Sequence, residues 1–320
     1  MKLLRNLLII FCVGSVLVFF QLKKRVSENG PLSESVSVDI EKGSSSQRVA
    51  DILLQQNVVD SALLFRLLIR FEQAGGKIKA GEYLFEPHIS MLEVLDKLVK
   101  GDVVYHKLTI PEGYTVGQVL FLLAKEPYLD GEIDYIPDEG SLLPETYTFT
   151  KGEKRSVIVQ KAMSSMQKKL QEIWNERDEA LPYKSVKDLL VMASIIEKET
   201  GVGDERAKVS SVFINRLKKG MLLQTDPTVI YALTRGKEDL SRSLTRGDLQ
   251  IDSPYNTYRY VGLPPTPICN PGEAAIWAAA HPEMTDYFYF VANGSGGHNF
   301  AKTLSEHNRN VAEWKNVRSR

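Results

Sequence analysis

Leu7 to Phe20 form an apolar run broken only by Gly14 and Ser15, extended by Leu3, Leu4 and Leu22 and closed by Lys23-Lys24-Arg25. No other feature constrains the chain as strongly, because such a run must enter lipid, be cleaved off or be buried in a core. A spanning helix wants about 20 residues and a signal-peptide core about 7–15, and this run falls between them. No small-x-small cleavage site follows Phe20, and Gln21-Leu22-Lys23-Lys24-Arg25 has the character of a stop-transfer cluster. We therefore read residues 1–25 as an uncleaved membrane anchor with its flanks. A cleaved signal is the alternative; a buried soluble helix fits poorly with basic flanks and no polar face. Charge leaves the orientation open, since two basic side chains and the amine precede the run and three follow it.

The rest of the chain is long and apolar enough for one or two soluble domains: 320 residues, 43% of them hydrophobic. The formal net charge is zero, but the first 25 residues hold five basic side chains and no acid, so the remainder carries −5. That balance excludes nucleic acid as a natural partner, since phosphates need clustered Lys and Arg. Only Cys12 and Cys269 are present, which excludes a disulfide framework or a cysteine zinc site.

Residues 26–35 are rich in Ser, Glu, Asn, Gly and Pro and read as a linker. Residues 36–101 read as a compact module. Ser37 to Ile40 alternates as a strand, Lys42-Gly43 turns, and Ser44 to Ser46 cap a helix carrying Val49, Ile52, Leu53 and Leu54. Ser61 caps a second helix, and Gly81 to Phe85 is a second strand. This strand-helix-helix-strand order resembles LysM modules, which bind glycans built on N-acetylglucosamine; a spacing module without glycan contact is the alternative. An internal echo follows: Ile40-x-x-Gly43 before a helix is matched by Ile110-x-x-Gly113 before Thr115 and its helix. Ser90 caps a further helix closed by Gly101, and residues 156–177 form a long amphipathic one. The fold class is α+β, with residues 102–320 as a mixed α+β domain that opens on that second strand-turn-helix unit.

Ser185 to Thr200 is a helix. On a wheel of about 100° per residue, Glu197 shares its side with Val186, Leu190 and Ala193, whereas Ser194, Lys187 and Lys198 form the wet face and Glu199 lies on the far side, near Asp188. A carboxylate on an apolar stripe is either a core group satisfied by Arg206, Arg216 or backbone amides, or a general acid whose burial raises its pKa. Glycosidic cleavage needs such a proton donor. Asp226-Pro227 starts another helix as N-cap and N1. Gln224 and Thr225 before it are not needed for that start and are candidates for hydrogen-bonding a polar substrate, with Asp226 beside them. Tyr255 and Asn256 sit in a Pro- and Tyr-rich loop suited to stacking on and hydrogen-bonding sugars. Tyr287 to Ala292 reads as a buried strand. His281, His298 and His307 lack metal-site spacing, and Ser295 lies outside a nucleophile elbow. No metal or cofactor is expected.

Ala193-Ser-Ile-Ile-Glu-Lys-Glu-Thr200, Val212-Phe-Ile-Asn-Arg-Leu217, Leu223-Gln-Thr-Asp-Pro-Thr-Val-Ile-Tyr231, Tyr255-Asn-Thr-Tyr258, Gly262-Leu-Pro-Pro265, Ala278-Ala-Ala-His-Pro282 and Gly296-Gly-His-Asn-Phe300 together resemble the YceG/MltG-like endolytic murein transglycosylases. The likeness is dense over about 183–314 and looser over 36–182, where Leu143-Pro-Glu-Thr-Tyr147 agrees. Asn293-Gly-Ser-Gly departs from the family's Asp-Gly-Lys or Asp-Gly-Ser.

The resemblance implies an enzyme held in the cytoplasmic membrane by a single span, with its soluble part outside. It implies cleavage within nascent peptidoglycan strands, between N-acetylmuramic acid and N-acetylglucosamine, without water. That leaves a 1,6-anhydromuramic end and stops strand elongation. The family's catalytic Glu falls on Glu197. Glycan strands are the implied partner, with peptidoglycan synthases as possible companions. A muramidase-type hydrolase, with Glu145 or Asp226 as second carboxylate, and a non-catalytic glycan-binding scaffold are the alternatives.

Overall fold

A computed structural model of the chain describes residues 20–238 and 240–318, with Asn6, Gly14 and Leu17. The expected anchor thus lies mostly outside the described residues, and among these no helix is long and apolar enough to cross a membrane. The architecture is α+β: many helices with four two-stranded sheets among the described residues. The chain divides into two compact units, residues 1–106 with 148–153, and residues 107–147 with 154–320.

In the first unit, α1 (residues 20–27) leads to β1 (Val36–Ile40), α2 (Ser46–Gln55), α3 (Ala62–Phe71), β2 (Gly81–Phe85) and α4 (Met91–Lys100). β1 and β2 pair antiparallel, Val36 opposite Phe85 and Ile40 opposite Gly81. Alternation sends Val38, Ile40, Tyr83 and Phe85 inward, onto Val49, Leu53, Phe65, Leu68, Val94 and Leu98 of the helices. The helix starts follow from their caps. Ser45, Ser61 and Ser90 accept the N–H of Arg48, Leu64 and Glu93, and Glu93 reaches back to close a capping box, each cap worth about 1 kcal/mol. Residues 26–35 are not the loose linker that their composition suggests. Val26 and Leu32 are buried in this core, and the backbone around Gly30 and Leu32 is bonded to His88. Two apolar anchors outweigh the polar composition between them.

β3 (Tyr105–Thr109) and β5 (Thr146–Thr150) lie where the chain passes from one unit to the other, and between them the second unit holds α5 (Val116–Lys125) and the short β4 (Leu129–Asp130). Then follow β6 (Glu153–Lys154), α6 (Arg155–Glu176), α7 (Val186–Glu199), α8 (Arg206–Lys218), α9 (Asp226–Thr234), α10 (Glu273–Ala280), the hairpin β7 (Tyr289–Ala292) and β8 (His298–Ala301), and α11 (Leu304–Arg318). The core centres on α7, packed by α6, α8, α9 and α10. β7 is half-buried rather than buried along its length.

Candidate active site

α7 is buried nearly all round. Leu189, Val191 to Ile196 and the last turn's neighbours leave only its two ends near solvent. Ser194, which the wheel puts on the wet face, is fully buried: its hydroxyl donates to Val191 O and accepts from Ile268 N–H. The segment before α10 covers that face, and no period within α7 can reveal a cover supplied from 75 residues away.

Glu197 is half-buried at the last turn of α7. Its Oε2 accepts the Gly272 N–H at 2.9 Å, and neither Arg206 nor Arg216 hydrogen-bonds to it. Burial pushes its pKa up; the Gly272 hydrogen bond opposes this, the charge of Glu112 adds to it, and Arg206 and Lys198 pull it down more weakly. The net direction is upward, which favours the proton-holding form.

Glu112 was not anticipated. A Cβ placed on Gly272 would lie 1.9 Å from Glu112 Oε1, so the Glu112 side chain rests on the bare Cα of the residue whose N–H holds Glu197. Through the bonds of Gly272, the two carboxylates are less than about 8 Å apart. Gly113, with φ +74°, brings its Cα side to within 3.7 Å of Glu197 Cγ as judged from the same ideal Cβ, and its carbonyl accepts from Lys198 Nζ at 3.4 Å. One residue ties this arrangement together. Asn270, wholly buried, accepts Leu142 N–H on its side chain, donates its amide and backbone N–H to Tyr114 O, and accepts Gly113 N–H on its carbonyl. The loops carrying Glu112 and Gly272 are thereby held at one end of α7. Asn270 sits in Ile-Cys-Asn-Pro without a local signal; only its burial reveals it.

The other anticipated residues cluster two positions further along the helix, around Glu199. Thr225 is 2% exposed and its hydroxyl donates to Glu199 Oε1. Burial pushes Glu199 up to about 7 against that hydrogen bond, with Asp226 adding to the rise. Gln224 is exposed and holds a left-handed backbone, φ 51°, a costly conformation for a residue with a Cβ. Its N–H and that of Thr225 are bonded to Thr257. Asp226 is exposed and accepts the Tyr258 hydroxyl at 2.6 Å. The cap of α9 is Thr225, one residue earlier than expected, because Asp226 turns to Tyr258.

Asn256 and Tyr255 are placed inside rather than at a sugar-facing surface. Asn256 is wholly buried; its amide donates to Leu249 O and Ile251 O and its oxygen accepts Tyr258 N–H. Tyr255, 8% exposed, pairs its hydroxyl with Thr266 and packs on Tyr231. Both shape the loop that holds Gln224 and Thr225. Arg216 is likewise structural, donating to Leu222 O, Leu223 O and Phe288 O. His298 pairs with Glu205 through both ring and backbone. Arg206, by contrast, has a buried Nε with no hydrogen-bond partner, although its charge is felt at Glu197. Among the described residues no His, Cys, Asp or Glu group is arranged to hold a metal ion.

A profile of the YceG-like family matches residues 38–313. The endolytic murein transglycosylase of Bacillus subtilis (strain 168) is 36% identical over 306 residues, covering 86% of this chain and 83% of that protein. The endolytic murein transglycosylase of Streptococcus pneumoniae serotype 2 (strain D39) is 30% identical over 328 residues, 88% of this chain; the chain spans 58% of that longer protein. A crystal structure of a putative yceG-like protein from Listeria monocytogenes aligns with TM-score 0.54 at 35% identity, covering 87% of this chain and 99% of that one. With the family's pattern running through both units and through the Glu197 and Glu199 clusters alike, the chain belongs to the YceG-like family.

Proposed function

We propose that this chain is an endolytic murein transglycosylase, anchored by residues 1–25 in the cytoplasmic membrane with both units outside. It cuts nascent peptidoglycan strands at the β-1,4 bond from N-acetylmuramic acid to N-acetylglucosamine. Glu197 uses one carboxyl group twice. Protonated, it donates to the leaving glycosidic oxygen as positive charge develops at muramic C1. The carboxylate so formed then takes the proton of the sugar's own C6 hydroxyl, which closes on C1 to give the 1,6-anhydro ring. The intramolecular hydroxyl has a high effective concentration, so no activated water is required. The Gly272 N–H stabilises the carboxylate between the two steps, and the positive charge of Arg206 favours the same form. Gln224 and Asp226, exposed on a strained and tethered segment, are the substrate contacts. The first unit's βααβ face serves as a LysM-like glycan-binding module, and synthases of the same strands are the partners.

The observation that supports this most is Glu197 itself: half-buried, hydrogen-bonded by the Gly272 N–H rather than by an arginine, and shifted toward the protonated form. The test is mass spectrometry of murein digested by the wild type and by Glu197→Gln. Anhydro-ended fragments from the first and none from the second carry the proposal; cleavage that survives Glu197→Gln removes it.

One observation favours a second reading. Glu112 lies less than about 8 Å from Glu197, near enough to serve as the second carboxylate of a hydrolase. A muramidase-type hydrolase would use Glu112 to form a covalent intermediate or to activate water, and its fragments would carry reducing ends. The same digests separate the two.

A further inference from the structure

α3 has the sequence Ala-Leu-Leu-Phe-Arg-Leu-Leu-Ile-Arg-Phe and is apolar on two opposite sides. Phe65, Leu68 and Ile69 enter the core. Leu63, Leu67 and Phe71, four residues apart and so on one stripe, stay 61%, 52% and 66% exposed. The helical wheel sets Arg66 and Arg70 along one edge of that stripe. Leu67, Phe71 and Leu92 line, together with Leu22 and Val26 of α1, a groove of about 380 Å³, with Lys23 and Glu72 at its margin. A soluble module gains nothing from such a stripe, and exposed apolar surface of this kind marks an interaction site.

The chain itself indicates what covers it. Leu22, in the groove wall, follows Phe20, the last residue of the apolar run, by two positions, which is about 3 Å along a helix. A run that enters lipid at Phe20 therefore delivers the groove and the α3 stripe to the lipid surface. The charges suit that neighbour: Lys23, Arg66 and Arg70 border the apolar residues, as on interfacial helices that face anionic headgroups. We propose that this face of the first unit docks on the bilayer. Leu63, Leu67 and Phe71 sit at the boundary of headgroups and acyl chains, so the unit lies on the membrane instead of hanging from it by a tether. The proposal rests on the membrane-anchor reading above and adds a second, peripheral attachment to it.

The experiment uses the full chain in vesicles of phosphatidylglycerol and phosphatidylethanolamine carrying lipids brominated near the headgroup end of the acyl chain. Leu67→Trp places a reporter on the stripe. Leu84→Trp places a control on the side of β2 that faces away from the helices, where Leu84 is 44% exposed. With the wild-type tryptophan signal subtracted, the proposal expects several-fold stronger bromine quenching at position 67 than at 84. Equal quenching at both positions overturns it. So does a position 67 shielded from aqueous acrylamide but untouched by bromine, which would indicate a second copy of the chain as the cover. An alkaline carbonate wash tests the anchor separately. Protein that washes off yet was quenched at 67 beforehand keeps the docking and loses the anchor; protein that resists the wash without quenching at 67 keeps the anchor and loses the docking.

Discussion

Two short turns in this molecule share a sequence pattern and differ in what they do. Ile40-Glu41-Lys42-Gly43 precedes the cap Ser45, and Ile110-Pro111-Glu112-Gly113 precedes the cap Thr115. The isoleucines are each 2% exposed, the glycines both adopt left-handed φ (+86° and +74°), and each cap accepts a backbone N–H three residues on. Locally the two are one structure. What surrounds them is not. A Cβ on Gly43 would meet nothing within 4 Å, whereas one on Gly113 would touch Glu197 and Lys198. Where the first turn carries Lys42 into solvent, the second carries Glu112 onto Gly272. A turn of this kind is a mount for whatever lies at its third and fourth positions, and chemistry enters only when another element packs there.

The largest effect should come from the residue that the second turn faces. Glu197→Gln keeps the shape and removes the proton. Cleavage should fall by about 10²–10⁴-fold, the usual contribution of general acid catalysis. The release of anhydro-ended fragments measures this, with an unchanged melting temperature as the control.

Glu199, two residues on, belongs to neither turn and should behave differently. Its carboxyl is raised to about 7 in the native state, chiefly by burial, so the folded protein binds a proton that the unfolded chain releases near 4.5. Stability from this group is complete below that lower value and is lost as pH rises toward 7. The loss is on the order of 3 kcal/mol at most. Urea midpoints between pH 4.5 and 8 should decline for the wild type and decline much less for Glu199→Gln. An equal slope in both proteins would mean that Glu199 is not the titrating group.

How far the site could be read from the chain depends on where each contact comes from. The partial burial of Glu197 agrees with the apolar side on which its helix places it, but the groups that enclose it, Gly272 and Gly113, come from segments far along the chain. The caps Ser45, Ser61 and Ser90 were legible because their partners lie three residues away. Ser194 was misread because its cover comes from Ile268 and Cys269. Residues 26–35 were misread because composition does not register two well-placed apolar anchors. Glu112 and Asn270 were missed for the same reason as Ser194: each acts on a segment more than 70 residues away, and only the folded chain brings them together. Asn256 was read as a sugar contact because its loop is polar and aromatic, but it is buried and its amide donates to the loop's own carbonyls, which sequence cannot distinguish from an open groove.

The next expectation concerns the third position of each turn. Glu112→Gln removes a negative neighbour, so the pKa of Glu197 falls and the alkaline limb of the pH–rate profile moves to lower pH. Because the Glu112 charge is exposed and screened, the rate at neutral pH should fall by no more than a few-fold. Gly272→Ala should reproduce it, because the added methyl occupies the place of the Glu112 carboxylate. The two changes together should do no more than either alone, as expected for one shared interaction. Lys42→Gln in the first turn should leave the profile untouched. A hydrolase would answer otherwise: Glu112→Gln would abolish turnover rather than shift it.

The smallest effect tests the comparison at its root. Both glycines hold a left-handed backbone, so Gly43→Ala and Gly113→Ala should each cost about 1 kcal/mol of stability, visible as similar shifts of the urea midpoint if the two units unfold together. Sterically the two sites diverge little, since the new methyl on Gly113 would stand at an ordinary 3.7 Å from Glu197. Functionally they should diverge. A relaxed φ at 113 swings the Gly113 carbonyl away from Lys198 and moves Glu112 relative to Gly272, so Gly113→Ala should lower cleavage and move the alkaline limb, while Gly43→Ala should change stability alone. If both alanines left the pH–rate profile where it was, the second turn would be a packing device like the first, and Glu112 would owe its position to Gly272 and Asn270 without help from the turn that carries it.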